Sequence, residues 1–233
     1  MSRFENGRAQ PLVVGARLDE ALPSFDAYLR LGGRPNVDFH LTRGMCRARL
    51  DDFAAAIDDY SRAIDLEPTA AAYAKRGWLY ALRGNPLFGL RDFDRALALD
   101  PTNADAHCGR GMALATVGRH ADAADAAERA LELAEPTFAE TLKAASVFAL
   151  AAQRVFFSEE ERRRQGPTPA QLRIGYIERA AGLVDRALGS EAVGVHDDLW
   201  REHIEPSGHF QPLLVEPEFR KLKEEVFERS GET

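Results

Sequence analysis

The densest run of side chains able to do chemistry lies near the C-terminus: His196, Asp197, Asp198, Glu202, His203, Glu205 and His209. Imidazole nitrogens and carboxylate oxygens can hold a transition metal or move a proton. On a helix, Asp198 and Glu202 stand one turn apart, as do Asp197 and Arg201. The spacing is not that of a zinc-protease helix, His-Glu-x-x-His, and an exposed helix with ordinary ion pairs accounts for the same residues better. An enzyme or metal-binding protein with its site between Asp197 and His209 stands as the alternative reading. Cys46 and Cys108 are two lone cysteines and no disulfide framework; both are expected reduced, and buried or groove-facing. The chain shows no nucleophile motif, no Gly-rich phosphate loop and no zinc spacing. No cofactor, no metal and no catalysis are therefore expected.

Arginine recurs at Arg43, Arg76 and Arg110, each time followed by glycine. Three guanidiniums in register would make an anion ladder. The simpler expectation is that each buries its stem between helices and turns its head to an acidic neighbour or a carbonyl. The glycines lead to the elements that carry them. Gly44, Gly77 and Gly111 are spaced by 33 and then 34 residues, and small residues Ala56, Gly89 and Ala123 follow at one offset, Ala63, Ala96 and Ala130 at another. Between them stand Tyr60, Phe93 and Ala127, and Pro68, Pro101 and Pro136 close the copies. Such a period marks stacked supersecondary units. Side chains this small let two helix axes approach closely where the glycine of one meets the small residue of the other. Asp51, Gly84-Asn85-Pro86 and Gly118 break each copy midway, with Asn85 expected as an N-cap and Pro86 at the first helical position. One such hairpin cannot bury its apolar face, so neighbours must stack into a curved array with a concave side.

The pattern resembles the tetratricopeptide repeat family over about a hundred residues, Asn36 to Pro136. It departs from that family in carrying His40, Tyr73 and His107 in place of a Trp, Arg in place of Leu before each glycine, and Ala127 in place of an aromatic. The resemblance implies an all-α fold, a right-handed superhelix of stacked antiparallel helix pairs, that serves as a non-catalytic adaptor or scaffold for a partner peptide or helix. In such a hairpin the first helix lines the groove. The groove offsets read Leu41, Met45 and Ala48, then Ala74, Trp78 and Ala81, then Cys108, Met112 and Ala115, all apolar, with Asp38, Arg49, Lys75 and Asp105 at the rim. An apolar strip with Trp and two Met suits a helix or extended peptide. Chaperone-binding members grip a C-terminal carboxylate with Lys, Asn and Arg; here those positions hold Leu41, Met45, Lys75, Asp105 and Gly109, of which Lys75 alone would serve, so no such clamp is expected. His40 and His107 are expected to be packing residues.

Along the chain, residues 1–35 read as an irregular lead and one capping helix from Leu18 to Leu31, ended by Gly32-Gly33. Residues 36–136 are the three repeat units. Residues 137–189 form a degenerate fourth pair: Thr137 with Glu140, and Thr168 with Gln171, are capping boxes, and the first helix is expected to run to Arg164. Residues 190–233 are a tail whose stripe of Phe219, Leu222, Val226 and Phe227 makes a closing helix; the segment from Pro212 to Phe219 resembles the closing segment after some repeat arrays. This stripe is a ready occupant for the groove, and the tail is expected to cover at least one end of it.

With repeats sharing interfaces, 233 residues are expected to form one elongated domain. The net charge of -7 and pI near 5.5 supply no basic stripe for phosphates, which argues against nucleic-acid and membrane-surface partners. No run of about eighteen apolar residues is present. A soluble cytoplasmic protein is expected, bacterial on its Ala- and Arg-rich, Lys-poor composition. A self-assembling scaffold is a third reading.

Overall fold

The computed structural model describes residues 18–133, 137–155, 167–191 and 196–230. All regular structure among them is helical. The chain divides into two compact units, Met1–Pro101 and Thr102–Thr233; the division falls at the proline that ends the second copy.

Unit 1 holds α1 (Leu18–Arg30), α2 (Val37–Arg49), α3 (Phe53–Leu66), α4 (Ala70–Leu82) and α5 (Pro86–Leu99). Asn36, Asp52 and Thr69 cap α2, α3 and α4 through side-chain oxygens that accept from Phe39, Ala55 and Ala72 amides. Helix α1 is a lid on α2: the Phe25 ring meets Phe39 edge-on at 5.1 Å, and Tyr28 lies 5.4 Å from the same ring. That contact buries Phe39 and completes a core with Cys46. Antiparallel pairs α2–α3 and α4–α5 follow, with α3 packed on α4.

The α4–α5 pair approaches as closely as its glycines imply. A Cβ on Gly89 would stand 2.9 Å from the Gly77 carbonyl oxygen, and one on Gly77 would stand 3.0 Å from the Phe93 ring and 3.2 Å from the Gly89 carbonyl. In the first pair Gly44 is closed over by Tyr60 and Asp59 rather than by Ala56.

The breaks between paired helices share one backbone solution. Gly84 has φ +75° and donates to the Ala81 carbonyl, while the Asn85 amide reaches back to Tyr80 at 2.8 Å; this double bond is the Schellman motif, whose left-handed residue is ordinarily glycine. Asp51 takes the same place at the end of α2 with φ 60°. Asn85 occupies the N-cap position of α5 as expected, but its side chain makes no cap bond. Its amide is used by the Schellman motif and its side-chain NH2 donates to the Arg83 carbonyl.

Unit 2 holds α6 (Ala104–Thr116), α7 (His120–Glu132), α8 (Phe138–Arg154), α9 (Pro169–Gly189), the short α10 (His196–Leu199) running into a π-helical turn (Trp200–Ile204), and α11 (Pro217–Ser230). Both expected capping boxes are formed, Thr137 with Glu140 and Thr168 with Gln171. The expected extension of α8 to Arg164 falls on residues 156–166, outside the described residues. Helix α8 packs on α6 and α7 and pairs with α9. The third crossing repeats the glycine logic, since a Cβ on Gly111 would meet the Ala123 carbonyl and Val147 of α8, both at 3.1 Å.

Helix α11 buries Phe219, Leu222 and Val226 against α9 and α10. It is held there by Phe210, whose ring lies 5.9 Å from Phe219, and by Arg173 of α9 paired with Glu216. The Gln153 amide of α8 also donates to the His209 carbonyl.

Candidate functional site

Within unit 1 the groove offsets of α2 and α4 stay partly open. Met45 and Trp78 are half-buried, and Arg49 and Lys75 beside them are exposed. The Trp78 indole meets the Phe93 ring edge-on at 5.7 Å, and the residue is half-buried. Leu41 is half-buried and packs between copies, against Ala56, Tyr60 and Leu79 on one side and Ala63, Ile64 and Ala72 on the other. Ala48 joins the first of these clusters, and Ala74 is buried. Of the groove offsets in unit 1, Met45, Trp78 and Ala81 are thus half-buried, and Asp38, Arg49 and Lys75 at the rim positions are exposed.

In unit 2 the equivalent residues are closed. Cys108, Met112 and Ala115 are all buried, and α8 packs along their helix with Lys143 paired to Asp105. Burial pushes the Cys108 thiol up to about 12, and the Cys46 thiol is raised by burial too. Burial thus disfavours the thiolate at both positions, away from the low-pKa character of a reactive cysteine. The expected tenant of the strip, α11, lies within unit 2 against α9 and α10. Its apolar stripe is used there, because the Phe210–Phe219 contact and the Arg173–Glu216 pair fix the segment leading into it.

Two of the three arginines before the glycines, Arg43 and Arg76, grip carboxylates. Arg76 sends Nε to Asp92 Oδ2 and Nη2 to Asp92 Oδ1, both at 2.8 Å, and Nη1 to the Ser61 hydroxyl at 3.0 Å. Its proton affinity is raised, first by the hydrogen bonds to Asp92. Arg43 grips Asp59 in the same two-pronged way, with Nε 2.9 Å from Oδ2 and Nη2 2.6 Å from Oδ1. Arg47 adds a bond of 2.7 Å and His40 Nδ1 lies 3.0 Å from Oδ1. Burial alone would raise the Asp59 carboxyl. Hydrogen bonds from Arg43 and His40 and the charges of Arg43 and Arg47 outweigh it and hold the group below the ordinary aspartate value. This is a frame, not a binding site, since Asp59 is fully buried and both its oxygens are spent. His40 is thus a hydrogen-bonding member of the frame as well as a packing residue. In the third copy the matching position is Ala126.

The tail cluster is dispersed. His196 is buried with Nε2 3.2 Å from the Glu191 carbonyl, His203 stacks near Phe138 at 5.5 Å, and Glu205 pairs with Lys223. His209 is held below its ordinary pKa by burial. Among the described residues no group of three or more His, Cys, Asp or Glu could hold a metal; the Asp197 side chain lies outside them. No described helix is long and apolar enough to cross a membrane.

No curated protein sequence matches the chain. Several solved structures share its fold. MamA superposes with a TM-score of 0.55 at 20% identity, over 75% of this chain and 87% of that one. The C-terminal part of a TPR repeat-containing protein from Cytophaga hutchinsonii gives 0.52 at 14% identity, over 91% and 76%. A tetratricopeptide repeat protein from Parabacteroides merdae gives 0.51 at 19%, over 90% and 78%. The family model for the tetratricopeptide repeat matches residues 7–71 and 74–137, more than half of the chain. With its glycine-pinned helix pairs, this chain belongs to the tetratricopeptide repeat family.

Proposed function

We propose that the protein is a non-catalytic adaptor that receives a helix or extended segment of a partner protein on the α2–α4 face of unit 1. The observation that carries this reading is the half-open state of Met45 and Trp78 at the groove offsets, with Arg49 and Lys75 exposed beside them. A half-buried Trp held edge-on by Phe93 is the kind of rigid aromatic that dominates binding energy at interfaces. Methionine next to it lets the surface adapt to irregular apolar side chains. The cations favour a segment with acidic flanks, which would speed encounter more than it would tighten the complex.

The test is comparative capture. Immobilised wild type and the variants Trp78→Ala, Met45→Glu and Lys75→Glu are exposed to the same native lysate, and retained proteins are quantified by mass spectrometry. A partner that is held by wild type and lost from Trp78→Ala and Met45→Glu, with Lys75→Glu weakening it in a salt-dependent way, supports the face. A partner retained equally by all four contradicts it.

A further inference from the structure

A second apolar surface lies where α4 turns into α5, beginning at Leu82, one helical turn beyond Trp78. Leu82, Leu87 and Phe88 are 68%, 64% and 54% exposed, on either side of the Gly84-Asn85-Pro86 break. The repeat frame does not call for large apolar residues here. The matching positions hold Arg49 and Thr116, Ala54 and Ala121, and Ala55 and Asp122 in the other copies. The elbow is also rigid. Its backbone is locked by the Asn85-to-Tyr80 and Gly84-to-Ala81 bonds at 2.8 and 3.1 Å, and the Phe88 ring rests 5.5 Å from Tyr80 with the Arg91 guanidinium 5.9 Å over it. A fixed apolar surface loses little conformational freedom when a partner covers it.

Between Leu79 and Phe93 the exposed charged side chains are both arginines. Arg83 and Arg91 are exposed, and neither pairs with a carboxylate among the described residues, although the chain as a whole is acidic at -7. A two-fold contact between copies through this elbow would set Arg83 and Arg91 against their own counterparts, which disfavours self-pairing. We infer that the elbow docks an acidic, apolar segment of a partner protein: leucine or phenylalanine side chains lying on Leu82, Leu87 and Phe88, flanked by Asp or Glu that meet Arg83 and Arg91.

The probe is a short labelled peptide repeating Glu-Phe-Asp-Leu, with a counterpart repeating Lys-Phe-Lys-Leu, titrated into the full chain by fluorescence anisotropy and followed by methyl resonances of leucine. Saturable binding of the acidic peptide is expected, with Leu82 and Leu87 methyls shifting first. Arg83→Glu with Arg91→Glu should weaken it about tenfold or more, and Leu87→Ser with Phe88→Ser should remove it. Arg62→Glu on α3 should leave it unchanged. All these side chains are exposed, so an unaltered melting curve for each variant is expected and confirms that folding is not what changed. The inference is overturned by absence of saturable binding, by equal binding of the lysine peptide, or by shifts confined to residues away from the elbow. It is overturned equally by a concentration-dependent dimer of the chain alone that Leu87→Ser with Phe88→Ser dissociates, since the occupant would then be a second copy.

Discussion

Arg76 and Asp92, sixteen residues apart on the two helices of one hairpin, meet fork to carboxylate with both bonds at 2.8 Å. Arg43 and Asp59 repeat the arrangement one copy earlier, and Ala126 ends it in the third. The pair crosses the same interface that Gly77 and Gly89 bring close. It supplies directional bonds where no bulky side chain fits.

Removing one partner of such a pair leaves a buried charge unanswered. Asp59→Ala should destabilise unit 1 by about 3–5 kcal/mol, whereas replacing Arg43 and Asp59 together by Met and Leu should come within about 1 kcal/mol of wild type. Chemical denaturation of the three proteins checks the contrast. A double variant as unstable as the single one would show that the bonds themselves, and not the orphaned charge, hold the hairpin.

The Asp59 carboxyl also sets a pH dependence. Its folded pKa lies below the ordinary value, so its stabilising contribution is fully present above the unfolded value near 4 and is lost as pH falls through the lower, folded value. Melting followed from pH 6 downwards should therefore fall less steeply in Asp59→Asn than in wild type. Parallel curves would remove Asp59 from the acid response.

At the close crossing, Gly77→Leu must move the Phe93 ring and the Gly89 backbone, and overpacking of this kind costs about 1–3 kcal/mol. The upper end is expected because one neighbour is main chain. A melting temperature lowered by less than a degree or two would mean that the helices can separate without penalty.

Asp51 and Gly84 hold equivalent left-handed positions. Asp51→Gly should stabilise by about 0.5–1 kcal/mol, and Gly84→Ala should destabilise by a similar amount although a Cβ there meets nothing within 4 Å. Opposite shifts in melting temperature are the signature. Shifts of the same sign would place the strain elsewhere.

Much of this was legible in the chain. Glycine against small residue is demanded by the crossing itself, so Gly77, Gly89, Gly111 and Ala123 announced their contacts, and the capping boxes at Thr137 and Thr168 are local chemistry. The Arg–Asp frame is half legible: the arginines recur before each glycine, and its other half lies in Asp59 and Asp92 at one shared offset, with Ala126 breaking the series. Asn85 takes the N-cap position that its residue type implies, but its side-chain NH2 turns to the Arg83 carbonyl, whereas Asp52, at the same place in the preceding copy, gives its amide to Arg47 and still caps α3. The burial of Cys108 and Met112 could not be read locally, since it depends on α8 packing along α6. The resting place of α11 likewise depends on Phe210 and Arg173, far from its own stripe. At the elbow, Leu82, Leu87 and Phe88 were visible as apolar residues beside a turn, but their exposure is a property of the packed hairpin.

The most direct measurement is site-specific photo-crosslinking in cells producing the protein, with a photoreactive phenylalanine in place of Met45 on α2 or, as the comparison, in place of Arg62 on α3. The expected result is a defined cross-linked partner from position 45, absent from position 62 and lost when Trp78→Ala is added. A partner cross-linked from position 62 and not from position 45 would contradict the assignment of the α2–α4 face as the binding surface.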